Sequence, residues 1–226
     1  MKKFKDFNEN LKVRNEDQKV ITVSKIEGYL AIAYILFIAI AGTRLLFRAD
    51  RSIFWGVAAL TLGFGDFFYL FPRILTSFGY KKDLNSAMGY GKFINSITST
   101  GFYVILYILF LKFENFYNSL ALSFIIIILV LTRLILCLLP GNRWRENTYV
   151  GYLNIWRNLP FILLGIIVSD MFLYFSRVPI IGIFIILSLA FYVPVVLFAN
   201  RNPKLEFLMF PRTMMYVGII IVFFFL

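Results

Sequence analysis

The chain has no histidine and only one cysteine among its 226 residues. Without histidine, a histidine-ligated zinc site, a Ser-His-Asp triad and a Cys-His dyad are all excluded. A single cysteine cannot form an internal disulfide, and Cys137 lies in an apolar run where a small buried side chain is expected. No cofactor is expected, and any catalysis must use other groups.

Charged residues are also scarce. They make up 15% of the chain, whereas hydrophobic residues make up 60% and the mean hydropathy is +0.80. A soluble domain of this composition would have almost no polar surface, and the alternating segments of an outer-membrane barrel are absent. Seven apolar runs instead approach the roughly 20 residues that cross a hydrocarbon core, which predicts an all-α, polytopic membrane bundle of seven helices. The runs are 27–47, 53–75, 90–112, 119–139, 158–176, 179–199 and 206–226.

Acidic residues are few relative to basic ones, at 12 against 23, which gives a net charge of +11. The basic residues concentrate in alternate connections, so the positive-inside rule predicts a cytoplasmic amino terminus and a carboxyl terminus outside. Residues 1–26 would be a basic cytoplasmic segment, either a short interfacial helix or a solvated tail, and 27–226 the transmembrane domain. An anionic inner leaflet accounts for the charge, so membrane lipids and not nucleic acid are the expected partners. Residue usage indicates a bacterial plasma-membrane protein.

Three of the predicted helices bring polar residues to one depth. With about 1.5 Å of rise per residue, Asp66 on the second helix lies roughly 10 Å from the inner surface, and Arg133 on the fourth lies at nearly the same level. The third helix presents Asn95, Ser96 and Ser99 within about 8 to 14 Å of its inner end. Ionised groups in hydrocarbon cost several kcal/mol unless they are paired or wetted. We therefore expect Asp66 either to pair with Arg133 or to accept hydrogen bonds from the third helix.

Helical phase predicts that these polar groups face the interior of the bundle. One stripe of the third helix carries Lys92, Ser96, Ser99, Tyr103 and Tyr107. One face of the second helix carries Gly63, Asp66, Tyr69 and Arg73, and Gly63 and Gly65 would let a neighbouring helix come close.

Four basic residues fall near the cytoplasmic ends of the predicted helices: Arg73, Lys92, Arg157 and Arg212. Each of them alone could simply snorkel to lipid phosphate. Together with the polar layer they would form a basic mouth for an anionic head group, with aromatic walls for an apolar tail. The candidate substrate-binding residues are Arg133, Arg73, Lys92, Asn95, Ser96, Ser99, Tyr69 and Tyr103.

Two short stretches, each with one aspartate, resemble a known family. "GDFFYLFPR" (65–73) is similar to the G-D-x-x-x-L-x-P-R stretch of some YhhN-type, or lysoplasmalogenase, membrane proteins, and "SDMFL" (169–173) resembles their later S-D-x-x-L element. The resemblance implies hydrolysis of the vinyl-ether bond of a lysoplasmalogen, with Asp66 and Asp170 as the catalytic candidates. A carboxyl in apolar surroundings can keep a proton and donate it to a vinyl-ether carbon. The chain departs from the family in lacking its histidine motif and in having seven predicted spans where the family has eight.

Asp170 on the fifth helix is expected in the outer half of the bundle, about 18 Å above the inner surface. Arg44 or Arg177 could neutralise it there. As an outer-boundary residue it would need no function, whereas the functional interpretation has Asp66 and Asp170 reaching one cavity from below and above.

Three functions from different classes follow from these residues. A lipid-processing enzyme would use Asp66 and Asp170, with Arg133, Lys92 and Arg73 on the phosphate, in a pocket open to one leaflet. A small-solute or lipid transporter would use an Asp66–Arg133 pair as a gate, and its polar faces would continue to both surfaces. A receptor or structural bundle would use the polar layer only to fix helix packing.

Overall fold

The structure, a computed structural model, describes residues 2–48, 53–80, 82–114, 119–146, 151–198 and 202–226, and of residues 2–24, 151, 203 and 204 it describes the backbone only. These residues contain seven long helices and no strand. The helices are α1 (Lys2–Phe47), α2 (Ile53–Ser77), α3 (Asn85–Phe113), α4 (Leu120–Leu138), α5 (Gly151–Phe175), α6 (Ile180–Phe198) and α7 (Met209–Phe223).

Each of these seven described helices contributes a stretch that is long and apolar enough to cross a membrane. The last stretch, Leu205–Phe223, includes part of a 3-10 helix, Pro203–Leu208, that leads into α7. The predicted all-α bundle is therefore confirmed, with seven described helices that are long and apolar enough to span a membrane. Of the predicted basic segment 1–26, the structure describes the backbone from residue 2 as the start of α1, and the side chains of 1–24 lie outside the description.

The helices pack in a ring that follows their order in the sequence, from α1 against α2 to α7 against α1, with α3 and α5 also in contact across it. Neighbouring helices run in opposite directions because the connections between them are short. We call the end where the membrane stretch of α1 begins, at Lys25, the lower end, and the end where it finishes, at Phe47, the upper end. Helices α3, α5 and α7 therefore begin at the lower end, and α2, α4 and α6 finish there.

The upper half of the ring is filled by aromatic side chains. The ring of Trp55 on α2 lies 4.4 Å from that of Phe223 on α7 and 5.0 Å from that of Phe113 on α3, between ring centroids. Phe110 on α3 meets Phe172 on α5 at 5.4 Å. These ring contacts pack the upper ends of α2, α3, α5 and α7 against one another.

Helices α2 and α3 approach each other closely at the level of the polar layer, as the glycines of the sequence predict. A Cβ placed on Gly65 would lie 3.1 Å from the Cα of Asn95, and one on Gly91 would lie 2.3 Å from the carbonyl oxygen of Phe68. Backbone atoms cannot move aside as the end of a side chain can. This contact fixes α3 beside α2 and so fixes the side chains that the two helices share.

Replacing Gly91 with alanine is therefore expected to destabilise the bundle by about 1–3 kcal/mol, because the new methyl group overpacks a backbone contact. Gly101→Ala is the matched control on the same helix, since its Cβ would meet only the Thr61 methyl group, at 3.6 Å. The single cysteine, Cys137, is fully buried and reports unfolding through its reaction with a thiol-specific dye on heating. Equal melting temperatures for the two variants would contradict the close α2–α3 contact.

Candidate functional site

A cavity of about 840 Å³ opens in the lower half of the ring, between α1, α2, α3, α5, α6 and α7. Six of the predicted site residues line it, and they are Asp66, Tyr69, Arg73, Lys92, Asn95 and Ser96. Arg157 and Arg212, which the sequence also places near the lower helix ends, line the same cavity. The rest of the wall is largely apolar, so the cavity combines a few polar groups with an apolar lining.

Asp66 links three helices through its carboxyl group. One carboxyl oxygen accepts a hydrogen bond from the hydroxyl of Tyr34 on α1, and the other accepts one from the side-chain amide of Asn95 on α3. The amide oxygen of Asn95 in turn accepts a hydrogen bond of 3.0 Å from Ser99. Of the two predicted environments for Asp66, the hydrogen bond to α3 is confirmed.

The other alternative, a pair between Asp66 and Arg133, is wrong. Arg133 is buried on α4 and donates to the backbone oxygen of Arg157 and, at 2.6 Å, to the side-chain oxygen of Asn158. It does not line the cavity and forms no ion pair with Asp66. Helix α4 packs on α3 and α5, so Arg133 lies on a different side of the ring from Asp66 on α2.

The prediction that Asp170 reaches the same cavity as Asp66 is also wrong. Asp170 is exposed, while Val168, Ser169, Met171 and Phe172 around it are buried. The face of α5 that packs into the bundle therefore leaves Asp170 on the outer surface. Within the described chain it has no ion pair with an arginine: neither predicted partner pairs with it, and Arg177 instead meets Glu114 at 3.8 Å.

The α3 stripe faces the interior as predicted, although only its lower part reaches the cavity. Ser96 lines the cavity, whereas Ser99 and Tyr103 are buried above it. The ring of Tyr103 packs edge-on against Phe161, with 5.1 Å between centroids. Tyr103 is thus part of the packed core and not of the cavity wall.

Two of the cavity's arginines have polar partners within the protein. The guanidinium of Arg73 forms an ion pair of 2.6 Å with Glu206 and lies 4.7 Å from the centroid of the Tyr69 ring. Arg157 donates hydrogen bonds of 2.7 Å to the side-chain oxygens of Asn142 and Asn154. Both guanidinium groups are therefore held in place at the edge of the cavity.

Arg212 is more deeply buried than these two arginines: it is 8% exposed, and no carboxylate in the described chain forms an ion pair with it. One amino group donates to the hydroxyl of Tyr216 at 3.0 Å, and the guanidinium lies 4.0 Å from the centroid of the Tyr192 ring. Its Nε has no hydrogen-bond partner. Asp66 acts on it electrostatically, but only at a longer range than an ion pair. Arg212 is thus a buried cation that lines the cavity without a direct counter-ion.

The charges around the cavity do not balance. The basic side chains that line it are Arg73, Lys92, Arg157 and Arg212, and the acidic ones are Glu27, Asp66 and Glu206. Arg133 adds a further positive charge behind the wall. The cavity therefore favours a negatively charged ligand, since each buried cation in a low-dielectric site is costly without a nearby anion. No group of three acidic or cysteine side chains in the described chain could hold a metal ion.

Sequence reasoning missed several polar residues that line the cavity, among them Tyr34, Asn154, Asn158, Tyr192, Glu206 and Tyr216. Asn154 and Asn158 are one helical turn apart and flank Arg157, a spacing that could have identified a polar face at the start of α5. That polar face also explains why α5 begins at Gly151, well before the predicted apolar run at 158. Nothing in the apolar run of α1 distinguishes Tyr34 from a lipid-facing tyrosine.

Double-mutant cycles on stability are expected to separate the partners of Asp66. Asp66→Asn and Tyr34→Phe remove parts of one hydrogen bond, so their effects should be non-additive by about 0.5 kcal/mol or more. Asp66→Asn and Arg133→Gln should be additive to within about 0.5 kcal/mol, because the two side chains share no partner. The Cys137 dye assay measures both cycles, and strong Asp66–Arg133 coupling would restore the predicted pair.

Comparison with protein-family models, with curated proteins and with solved structures finds no match to this chain.

Proposed function

We propose that this protein binds an anionic amphiphile, a phospholipid or lysolipid, with the head group in the cavity and the hydrocarbon chain against the apolar wall. Arg212 is the main support for this function. A guanidinium that is buried in a membrane bundle without a direct counter-ion is costly, and a phosphate is well suited to its planar array of donors. A head-group phosphate in the cavity would remove that cost.

The size and lining of the cavity support the same ligand class. Small-molecule sites commonly have about 300–1,000 Å³ and a mostly apolar wall with a few convergent polar groups. A cavity of about 840 Å³ can take a head group and the first part of a chain. Lys92, Arg157 and Arg73 stand at its wall beside Arg212, so a phosphate there would meet several cations.

The proposed orientation follows the positive charges of the sequence. With a cytoplasmic amino terminus, the lower end faces the cytoplasm and the cavity opens at the level of the inner leaflet of a bacterial plasma membrane. The anionic lipids of that leaflet are then the nearest source of ligand.

Hydrolysis of the bound lipid is a second candidate function, favoured by the position of Asp66 at the cavity wall. In the lysoplasmalogenase-type reaction that the sequence resemblance implies, an acid protonates the vinyl-ether carbon, water adds to the oxocarbenium ion, and the hemiacetal breaks down to an aldehyde and an alcohol. Asp66 would be the acid. Asp170 is exposed outside the cavity, so the proposed chemistry rests on Asp66 alone.

A transporter has less support. The aromatic packing of Trp55, Phe110 and Phe223 occupies the upper half of the ring. The cavity therefore ends below it, as a binding pocket open on one side would.

Binding to the purified protein in lipid nanodiscs tests the proposed function. A lysophospholipid is expected to bind about tenfold or more tightly than a monoacylglycerol with the same chain, because only the phosphate can interact with the buried cations. Native mass spectrometry of the protein as purified should also find a lipid that carries a phosphate. Equal binding of the charged and neutral lipids would overturn the proposal.

A further inference from the structure

Three pairs of neighbouring helices around the cavity, α1–α2, α2–α3 and α5–α6, are joined closely at the lower end. Gly28 of α1 packs so tightly on α2 that a Cβ there would lie 2.2 Å from the hydroxyl oxygen of Ser77. The contact of Gly91 closes α2 against α3. Asn154 of α5 donates 3.0 Å to the backbone oxygen of Val196 on α6. A lipid chain could leave the cavity through these three contacts only by breaking them.

The seam between α1 and α7 is different. At the upper end it is joined by a hydrogen bond of 2.9 Å from Arg48 to the backbone oxygen of Phe224. At the lower end, no hydrogen bond or ring contact in the described chain joins residues 26–34 to residues 207–214. Five large apolar residues on these two stretches line the cavity and are exposed at the same time: Ile26, Leu30, Phe207, Phe210 and Met214. Residues that belong both to the cavity wall and to the outer surface mark its opening.

We infer that the cavity opens sideways between α1 and α7, and that the hydrocarbon chain of the bound amphiphile lies in this opening and continues into the surrounding leaflet. This inference rests on the proposed lipid-binding function. It names the source of the ligand: a lipid that is already in the membrane, and not an anion from the water.

The chemistry of the opening matches a hydrocarbon chain. Apart from the exposed Glu27, the exposed residues that line the cavity on these two stretches are apolar or aromatic, so the edge suits a hydrocarbon chain that passes into the leaflet. Arg212, Phe210 and Met214 all line the cavity. A lipid held with its phosphate at Arg212 therefore shares one cavity with the exposed apolar side chains of the opening.

Photo-crosslinking can locate the chain directly. The probe is a lysophosphatidic acid with a diazirine near the end of its chain, bound to the full protein in nanodiscs, and mass spectrometry identifies the labelled residues. Labelling is expected at 26–34 and 205–217, above the level of ordinary lipid contact at Phe124 and Ile128, which are exposed on α4. Arg212→Gln should lower the labelling at the opening about tenfold, while Arg44→Gln, an exposed arginine outside the cavity, should leave it unchanged.

The possible results separate the two proposals. If Arg212→Gln changes no labelling anywhere, and Arg212→Lys likewise, the lipid-binding function fails. If labelling depends on Arg212 but falls between another pair of helices, lipid binding stands and the α1–α7 opening is wrong.

Competition distinguishes the source of the ligand: glycerol phosphate should displace the probe far less well than unlabelled lysophosphatidic acid. Equal displacement would show that the chain contributes nothing, and would overturn the opening.

A variant that fills the opening gives an independent test. Met214→Trp places a larger side chain at the edge of the cavity without touching the basic groups. It is expected to weaken binding of the lysolipid about tenfold and to leave the weak binding of glycerol phosphate unchanged. Unchanged lysolipid binding in a variant that melts like the wild type would contradict the proposed path.

Discussion

Replacing Arg212 with glutamine is expected to weaken binding of an anionic lysolipid roughly 10- to 100-fold, because a hydrogen bond to a charged group contributes about 1.5–3 kcal/mol. Glutamine ends where the Nε of the arginine lies, so it supplies neither the charge nor the hydrogen bond that the more distant amino group of Arg212 donates to Tyr216. Titration of the purified variant in nanodiscs with a fluorescent lysophosphatidic acid measures the loss.

The fold should survive this substitution. Arg212 makes no ion pair that would be broken, and the cost of burying its charge disappears. Its attraction to Asp66 and its hydrogen bond to Tyr216 are lost at the same time, so the gain and the losses oppose each other, and the free energy of unfolding is expected to change by about 1 kcal/mol. A change confined to binding is what distinguishes a ligand-binding cation from a structural one.

Two matched variants complete the test. Arg212→Lys keeps the charge but loses the contact between the planar guanidinium and the Tyr192 ring, so an intermediate affinity is expected. Arg44→Gln removes an exposed arginine outside the cavity and should change neither affinity nor stability. Wild-type affinity in Arg212→Gln would remove the main support for the lipid site.

The sequence predicted the membrane spans well because hydropathy over about 20 residues is a strong signal. Both ends of the observed helices lie within a few residues of the predicted runs, with two exceptions. Helices α1 and α5 begin earlier than predicted, in polar sequence. The inward-facing stripe of α3 was predictable for a similar reason, since its polar residues stand out against an apolar helix.

Which helices are neighbours was not predictable in the same way. Depth along a helix gives a height in the bundle but not a position around the ring, so the predicted pair of Asp66 and Arg133 was wrong. The prediction that Asp170 reaches the cavity was wrong for a related reason. Both faces of α5 are apolar, so the sequence does not show which one packs inward. Tyr34 and Glu206 reach the site only because the ring closes α1 and α7 around it.

Asp66→Asn should separate the structural role of the carboxyl group from a chemical one. An asparagine can still accept from Asn95 and can donate to the Tyr34 hydroxyl, so the three helices stay linked by weaker, neutral hydrogen bonds. Asp66→Leu leaves both donors without an acceptor, at about 1–3 kcal/mol each. In the Cys137 dye assay, the leucine variant should therefore melt well below the asparagine variant.

If the protein hydrolyses a lysoplasmalogen, Asp66→Asn should lower the rate of aldehyde release by about 10²–10⁴, the usual contribution of a positioned acid or base.

The decisive comparison is a double variant that exchanges the two side chains, Asp66→Asn together with Asn95→Asp. In this variant the carboxylate at position 95 accepts from the amide introduced at position 66 and from Ser99. The Tyr34 hydroxyl donates to the oxygen of that amide, so every hydrogen bond has a counterpart.

The exchanged pair should recover most of the stability lost in Asp66→Asn, because a carboxylate again accepts at the junction of α2 and α3. Aldehyde release should not recover, since the acid has moved to a different helix and no longer reaches the same substrate atom. Recovery of both would mean that the carboxylate only holds the helices and shapes the cavity. Recovery of stability without turnover would assign the chemistry to Asp66, and a wild-type protein that binds the lipid but releases no aldehyde would leave binding as the function of the site.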